Sequence, residues 1–516
     1  MKPSLVLLLA CQCSMTYAQT APPTSLSLEL ALRSTLDRHP LLQVQQQQVE
    51  ATRAALTRAR SQFDTVFQSQ LGHSRLYQPL TDNERAVLGA SSTTASRTDF
   101  TVRAIQPLRN GFTAGTTMDV SRTADALAAP LGLNRSHLAL TVTLPLLRGK
   151  GRDVVMAPET AAGIEVEASV YDVSQSISDL LSRTADTYWS AVAALRNYTV
   201  YRNAEDRGRV YLETVQQLVD ADRLPRSEIS QVQANLASRA AARLAAQQQL
   251  SEAKQQLAIA IGLGGDQLLR VPDPSDALPT GEPQWTSSFD AAQLRSWIDQ
   301  ALVRRSDLLA LKRRLTSATL LRGAAQDQFR PQLDLELSTG YSGLGEGTNA
   351  NRYLAAPFVG IGGADAVANV RYELPFGRRA AQAALMEADS SARQVGYRIE
   401  EATRTITSDV ITAADAVRHA AEQLQQAQLS VEYSQLALDN EREKLRLGVG
   451  ELLDVLVVEE RLTGVLSFAV QSELALAQSI TRLRHATGTI VAPDTTGQDI
   501  DPKAFFTLPE RAGGLQ

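Results

Sequence analysis

Two short segments, Thr143-Leu144-Pro145-Leu146 and Glu373-Leu374-Pro375-Phe376, end alternating runs with the same Leu-Pro step. Upstream of the first, Leu138, Leu140, Val142 and Leu144 alternate with Ala139, Thr141 and Thr143. Upstream of the second, Val370, Tyr372 and Leu374 alternate with Arg371 and Glu373. Leu333, Leu335 and Leu337 alternate with Asp334, Glu336 and Ser338, and Phe100, Val102 and Ala104 with Thr101 and Arg103. A period of two predicts strands with one apolar and one polar face. Such a strand suits the wall of a water-filled barrel in lipid. It suits an ordinary antiparallel sheet with one solvated face equally well, and the alternation alone leaves both open.

Working outward, the same plan occurs twice. The stretch from Leu41-Leu42 to Ser61-Gln62-Phe63 is matched by the one from Asp307-Leu308-Leu309 to Asp327-Gln328-Phe329. Asp222-Arg223-Leu224-Pro225-Arg226-Ser227-Glu228-Ile229 is matched by Gly448-Val449-Gly450-Glu451-Leu452-Leu453-Asp454-Val455. The order is conserved between the halves, which marks an internal duplication. The halves run over residues 26–263 and 289–489, joined by a Gly/Pro/Asp linker at 264–288, with a tail at 490–516. In each half a helix (27–62, 290–328) leads to strands (about 66–146, about 332–375), a very long helix (160–220, 379–446), a tight turn and a last helix (226–262, 451–487). His39-Pro40 and Arg305-Ser306 are expected breaks in the first helices.

The helices read as rods. Leu452, Val455, Leu462, Leu466, Ala469, Leu476, Ile480 and Leu483 form a narrow stripe, interrupted at Glu459 and Glu473. Ile229, Val232, Leu236, Leu250 and Leu257 form another. Narrow stripes signal coiled-coil packing. At 1.5 Å per residue the long helices extend roughly 90–100 Å. An aromatic content of 5% agrees, because rods have little three-dimensional core to fill.

Composition excludes several classes. With 51 Lys+Arg against 56 Asp+Glu, the net charge of −5 offers no basic excess for nucleic acid. Both cysteines, Cys11 and Cys13, stand at the N-terminus, so the body has no disulfide framework, thiolate metal site or catalytic cysteine. His39, His73, His137, His419 and His485 are scattered singly, without ligand spacing. No nucleophile elbow, P-loop or dinucleotide loop is present, and Gly360 with Gly362-Gly363 reads as flexible loop. No enzyme activity and no cofactor are expected.

The first 18 residues read as a signal peptide: Lys2, then Leu5-Val6-Leu7-Leu8-Leu9-Ala10, then small residues to Thr16-Tyr17-Ala18. Leu8-Leu9-Ala10-Cys11 also reads as a lipobox, an alternative that would place a lipid on Cys11. No later run is long and apolar enough for a membrane-spanning helix, which leaves a periplasmic, secreted or β-barrel protein.

Three junctions carry a resemblance that covers almost the whole mature chain. Pro331-Gln332-Leu333-Asp334-Leu335, Glu373-Leu374-Pro375-Phe376-Gly377 and Lys444-Leu445-Arg446-Leu447-Gly448-Val449-Gly450-Glu451-Leu452-Leu453-Asp454-Val455-Leu456 resemble the strand starts, strand exits and tip turns of the TolC-like outer membrane efflux proteins. The resemblance implies an α+β, mainly α fold: a trimeric outer-membrane β-barrel continued by a long periplasmic α-helical barrel, built from a duplicated helix–hairpin–helix–helix unit. It implies a homotrimer in outer-membrane lipid whose tips meet a periplasmic adaptor and an inner-membrane pump. The expected function is a passive outer-membrane channel of a tripartite efflux or type I export system. The alternative is a periplasmic coiled-coil structural or adaptor-like protein without a pore.

The family commonly supplies two strands per half. Here the first half has an additional hairpin, Phe100–Ile105 and Thr113–Val120 around Arg109-Asn110-Gly111. It is expected to decorate one end of the barrel, with the alternative that it joins the wall.

Asp454 corresponds to an aspartate that lines the constriction in the resembled family, and Glu228 is its repeat partner. Threefold symmetry would make each a ring of acids that favours cations, although an acid in a helix's first turn also complements the macrodipole. The family's second constriction aspartate falls on Val457, and its tip arginine and tyrosine fall on Gly450 and Leu445, so its closing network does not carry over intact. The turns Asp222, Arg223, Leu224, Pro225 and Gly448, Val449, Gly450 are candidates for adaptor contact. Arg148, Lys150, Arg152, Arg378 and Arg379 follow the exit strands and, in a barrel, would meet inner-leaflet headgroups. Tyr341, Tyr353 and Phe358 are candidate interfacial aromatics.

Overall fold

The computed structural model describes residues 25–125, 129–287, 289–347, 361–492 and 501–510. The signal sequence with Cys11, and the aromatics Tyr353 and Phe358, lie outside the described residues.

Strand β1 (Ser25–Leu26) leads to α1 (Leu28–Arg38) and α2 (Pro40–Arg60). His39 separates the two in extended geometry, with Pro40 opening α2. A proline there gives up no hydrogen bond, because the first-turn N–H groups have no intrahelical partner. Four strands follow: β2 (Val66–Pro79), β3 (Ser92–Pro107), β4 (Thr113–Asp125) and β5 (Ala129–Pro145), with the short α3 (Asp82–Leu88) between β2 and β3. Short α4 (Arg152–Val155) precedes α5 (Ala157–Asp220), a helix of 64 residues and about 96 Å. A turn reverses the chain into α6 (Ser227–Ala260).

The second half begins after β6 (Asp273–Pro274), which pairs parallel with β1. Helices α7 (Ala291–Arg304) and α8 (Ser306–Asp327) break at Arg305. Strands β7 (Gln332–Glu346) and β8 (Ile361–Glu373) follow, then α9 (Arg379–Arg446), 68 residues or about 100 Å, and α10 (Leu452–Ala486). Gly362 and Gly363 lie in β8, so the expected loop there is corrected to strand.

The duplication is visible at two glycines. Gly262 follows α6 at φ +75°, where a Cβ would stand 3.1 Å from the backbone of Arg38 and His39. Gly488 follows α10 at φ +64°, 3.3 Å from the backbone of Arg304 and Arg305. Each ends the last helix of its half in a left-handed cap and lies against the break between the first two.

Two cores hold the rods together. In one, Leu28, Leu32, Ile177, Leu181, Tyr188, Trp189 and Leu257 are buried. In the other, Trp297, Leu308, Ile406, Val410, Val417, Leu424, Leu476, Ile480 and Leu483 are buried. Each such side chain contributes about 1.5–3 kcal/mol of burial. The spacing Ile406, Val410, Val417, Leu424 on α9 is one helical stripe. Residues 501–510 join the cores: Phe506 stacks edge-on against Trp189, and the Trp297 indole donates to the Pro509 carbonyl at 3.1 Å. Tyr188 bonds the Leu26 carbonyl at 2.9 Å and the Asp276 carboxylate at 2.8 Å, tying the linker to the first half.

The six long strands form one antiparallel sheet in the order β2-β3-β4-β5-β7-β8. The hairpin expected as decoration is β3–β4, and it occupies interior positions of that sheet. β3 pairs with β2 from Pro79↔Ser92 to Val66↔Ile105, and β4 pairs with β5 from Thr113↔Thr143 onward. Its alternation continues that of its neighbours, which is why it enters the ladder.

Candidate functional site

The pairing register assigns every strand residue to one of two faces, since partners across a ladder share a face. One face carries Gln68 and Gln70 of β2, Arg97, Asp99, Thr101 and Arg103 of β3, Thr117 and Asp119 of β4, and His137 and Thr141 of β5. It continues through Asp334, Glu336 and Ser338 of β7 to Arg371, Asn369 and Asp365 of β8. The other carries Phe67 and Leu71, then Phe100, Val102 and Ala104, then Met118 and Val120. It continues through Leu138, Leu140 and Val142 to Leu333, Leu335, Leu337 and Tyr341, and ends on Ala366, Ala368 and Val370. Polar residues on the first face bond one another: Thr101 donates to Asp119 at 2.7 Å, and His137 Nε2 stands 3.3 Å from Asp365 across Gly340. Apolar residues on the second remain exposed, among them Leu71, Leu140, Leu337, Tyr341 and Val370.

At the helix end of the sheet, the β3–β4 turn is pinned. Arg109 bonds Glu159 of α5 through Nε at 3.1 Å and Nη2 at 3.4 Å, while Arg60 at the end of α2 reaches the same carboxylate at 3.3 Å. The Arg109 guanidinium also lies 5.1 Å from the Phe63 ring centroid. The Arg109 hydrogen bond, supported by both arginine charges, holds the Glu159 carboxyl below the ordinary glutamate range against the opposing effect of desolvation. Arg148, Lys150 and Arg152 lie beside this junction below β5, and Arg378 and Arg379 below β8. Arg148 donates to Gln332 and Arg152 to the Met156 sulfur, whereas Lys150, Arg378 and Arg379 are exposed.

The two tip turns come together at the opposite end. Leu224 of the first turn and Leu445 beside the second pack on one cluster with Val215, Val219, Val232, Leu452 and Leu456. Asp222, Arg223, Pro225, Gly448 and Val449 are exposed around it. Asp454 is exposed in the first turn of α10, and Glu228 is half-buried in the first turn of α6. Burial and the Glu459 charge push the Tyr211 phenol up to about 12.

Glu459, which the sequence showed only as an interruption of the apolar stripe, is a buried charged centre. Its side chain is 3% exposed. Arg207 of α5 donates to it at 2.9 Å, Arg239 of α6 at 3.0 Å and Arg442 of α9 at 3.3 Å. One carboxylate therefore ties four helices together close to the tip. The signal was in the sequence: Glu459 interrupts an apolar stripe, where an acid persists only with partners. The other interruption, Glu473, pairs with Arg196 of α5. Further up, the Arg243 hydrogen bond holds the Glu205 carboxyl below its ordinary range. Midway along the rods, burial raises the Asp186 carboxyl to about 6, and its Oδ1 has no hydrogen-bond partner.

Among the described residues no cluster of His, Cys, Asp and Glu is placed to hold a metal ion, and no helix is long and apolar enough to cross a membrane.

Comparison with known proteins agrees with this architecture. Residues 297–489 match the family model for outer membrane efflux protein. No curated protein matches the chain. The Campylobacter jejuni outer membrane channel CmeC superposes with a TM-score of 0.64 at 16% identity, over 92% of this chain and 90% of its own. The Vibrio cholerae outer membrane protein VceC superposes with a TM-score of 0.62 at 17% identity, over 89% and 96%. The Neisseria gonorrhoeae MtrE outer membrane channel, in its open state, superposes with a TM-score of 0.60 at 16% identity, over 89% and 88%. Residues 297–489 thus carry the outer membrane efflux protein pattern, and the chain as a whole shares its fold with these outer membrane proteins.

Proposed function

We propose that the protein is a passive outer-membrane channel of a tripartite efflux or type I export system. One observation carries the reading: a single sheet with a polar face, an exposed apolar face and, among the described residues, two unpaired edges, mounted on rods about 100 Å long. An exposed apolar face of this extent is costly in water and suited to hydrocarbon. A pore-less periplasmic rod has no use for it. The helices, exposed and charged on their outer surface, then extend into the periplasm.

Three copies close the sheet into a barrel and their helices into a tunnel. The tip turns, Asp222–Pro225 and Gly448–Gly450, face the periplasm, where a membrane-fusion adaptor and an inner-membrane pump would dock and supply the energy. Asp454 and Glu228 would line the narrowest point as rings of acids. The basic residues Lys150, Arg378 and Arg379 would rest against the inner-leaflet headgroups.

The test is planar-bilayer conductance of the purified protein, with oligomer mass measured in the same detergent. Cation-selective steps from a trimer support the proposal. A monomer that stays silent even with both tip turns deleted overturns it.

A further inference from the structure

We propose that each protomer contributes six strands to the barrel wall, so that the trimer closes an eighteen-stranded barrel wider than a twelve-stranded one. The inference rests on the channel reading above and adds the width of its pore.

The additional hairpin is built as wall. Its apolar residues Val102 and Met118 pair with each other and share the face of Ser69 on β2 and Leu140 on β5, through continuous ladders. Its polar residues Thr101 and Asp119 continue the face that holds His137 and Asp365. A decorative hairpin would have no reason to keep both faces in phase with four other strands. Its helix-proximal turn is also fixed, by Arg109 to Glu159.

The edges fit a second copy of this chain. β2 runs away from the helices and β8 runs back toward them, so a rotated copy brings β8 against β2 in antiparallel sense. The edges have nearly equal lengths, 14 and 13 residues. Within hydrocarbon no strand edge is left unpaired, and rotation is the operation that closes a head-to-tail contact into a ring.

Barrel diameter grows with strand number. At a spacing of about 4.8 Å and a tilt of about 40°, twelve strands give about 24 Å between backbones and eighteen about 36 Å. The helices supply an independent gauge. Four helices stand side by side at each level of a protomer, α2, α5, α8 and α9 nearer the sheet and α6, α5, α10 and α9 nearer the tip; spaced about 8–10 Å apart, three copies make a twelve-helix ring about 31–38 Å across. Eighteen strands meet that ring almost flush. The consequence is a lumen that admits larger solutes at its outer end, lined by Arg97, Asp99, Arg103 and Asp119 from the added hairpin.

The experiment uses single cysteines, since the sequence has none after Cys13. Cysteines at Val102 and Met118, at Thr101 and Thr117, and at the β5 controls Leu140 and Thr141 are placed in the full-length protein in liposomes. Each is reacted with a charged, water-soluble thiol reagent. The proposal expects positions 102 and 118 to react at least tenfold more slowly than 101 and 117, matching the contrast between 140 and 141. Averaged electron micrographs down the trimer axis should show eighteen strands. Equal reaction at all four hairpin positions, with the β5 contrast intact, overturns the wider barrel and leaves the channel standing. Loss of contrast on β5 as well overturns the channel reading itself.

Discussion

Replacing Glu459 by glutamine preserves the side-chain shape and removes the charge that three arginines share. Arg239 is the most enclosed partner, 10% exposed, and it also donates to the Ala204 carbonyl at 3.0 Å. Arg207 and Arg442, 31% and 46% exposed, can turn toward water when the acid is lost. Breaking a buried pair by removing one member costs about 3–5 kcal/mol. With two of the three arginines able to rehydrate, about 2–3 kcal/mol is the expected cost here. That energy falls on local opening of the tip, because the four helices meet at this carboxylate within three turns of α10's start. Amide exchange over 204–208, 235–240, 438–446 and 455–463 should therefore quicken roughly 30- to 150-fold. In bilayers the same variant should open more often, since α9 and α10 lose their tie to α5 and α6. Arg442→Gln removes only the most exposed partner and should cost no more than about 1 kcal/mol. Exchange within threefold of the unaltered protein for Glu459→Gln would refute the reasoning, because it would mean that the carboxylate bears no load at the tip.

Asp454→Ala should raise conductance and weaken cation selectivity, and unchanged single-channel records would remove Asp454 from the constriction. Arg109→Ala leaves Glu159 with Arg60 alone; about 1 kcal/mol is expected after solvent screening, read as faster exchange confined to the β3–β4 turn. Asp186 predicts a pH effect. Burial lifts its carboxyl to about 6, so the stability it contributes is present while it is protonated, below the ordinary aspartate range near 4, and lost as pH rises through about 6. Asp186→Asn should flatten thermal stability between about pH 4 and pH 6 and raise it above that window by at most about 3 kcal/mol, measured as melting temperature; a parallel curve would contradict the assignment.

What the sequence made legible was whatever repeats along one axis. The rods were readable because Leu452, Val455, Leu462 and Ile480 recur at helical spacing, and the sheet because Leu333, Leu335 and Leu337 recur at strand spacing. The breaks at His39 and Arg305 were signalled by the duplication itself, since each half meets them at the same place. Two things were not legible, for different physical reasons. The position of the β3–β4 hairpin depends on which strands it pairs with, and alternation sets the face of a residue without naming its neighbour. A count of strands brought over from the resembled family pointed to decoration; the ladder from Val66↔Ile105 through Thr113↔Thr143 decided otherwise. The Glu459 site depends on four helices converging, and its arginines at 207, 239 and 442 share no spacing that a linear reading detects. Only the acid betrayed it, by standing where the stripe required an apolar residue. For a chain built of rods, such interruptions are the places to look first. A polar residue on a packed stripe loses its water, and what repays that loss is a partner from another helix, which is where the helices can be locked or released.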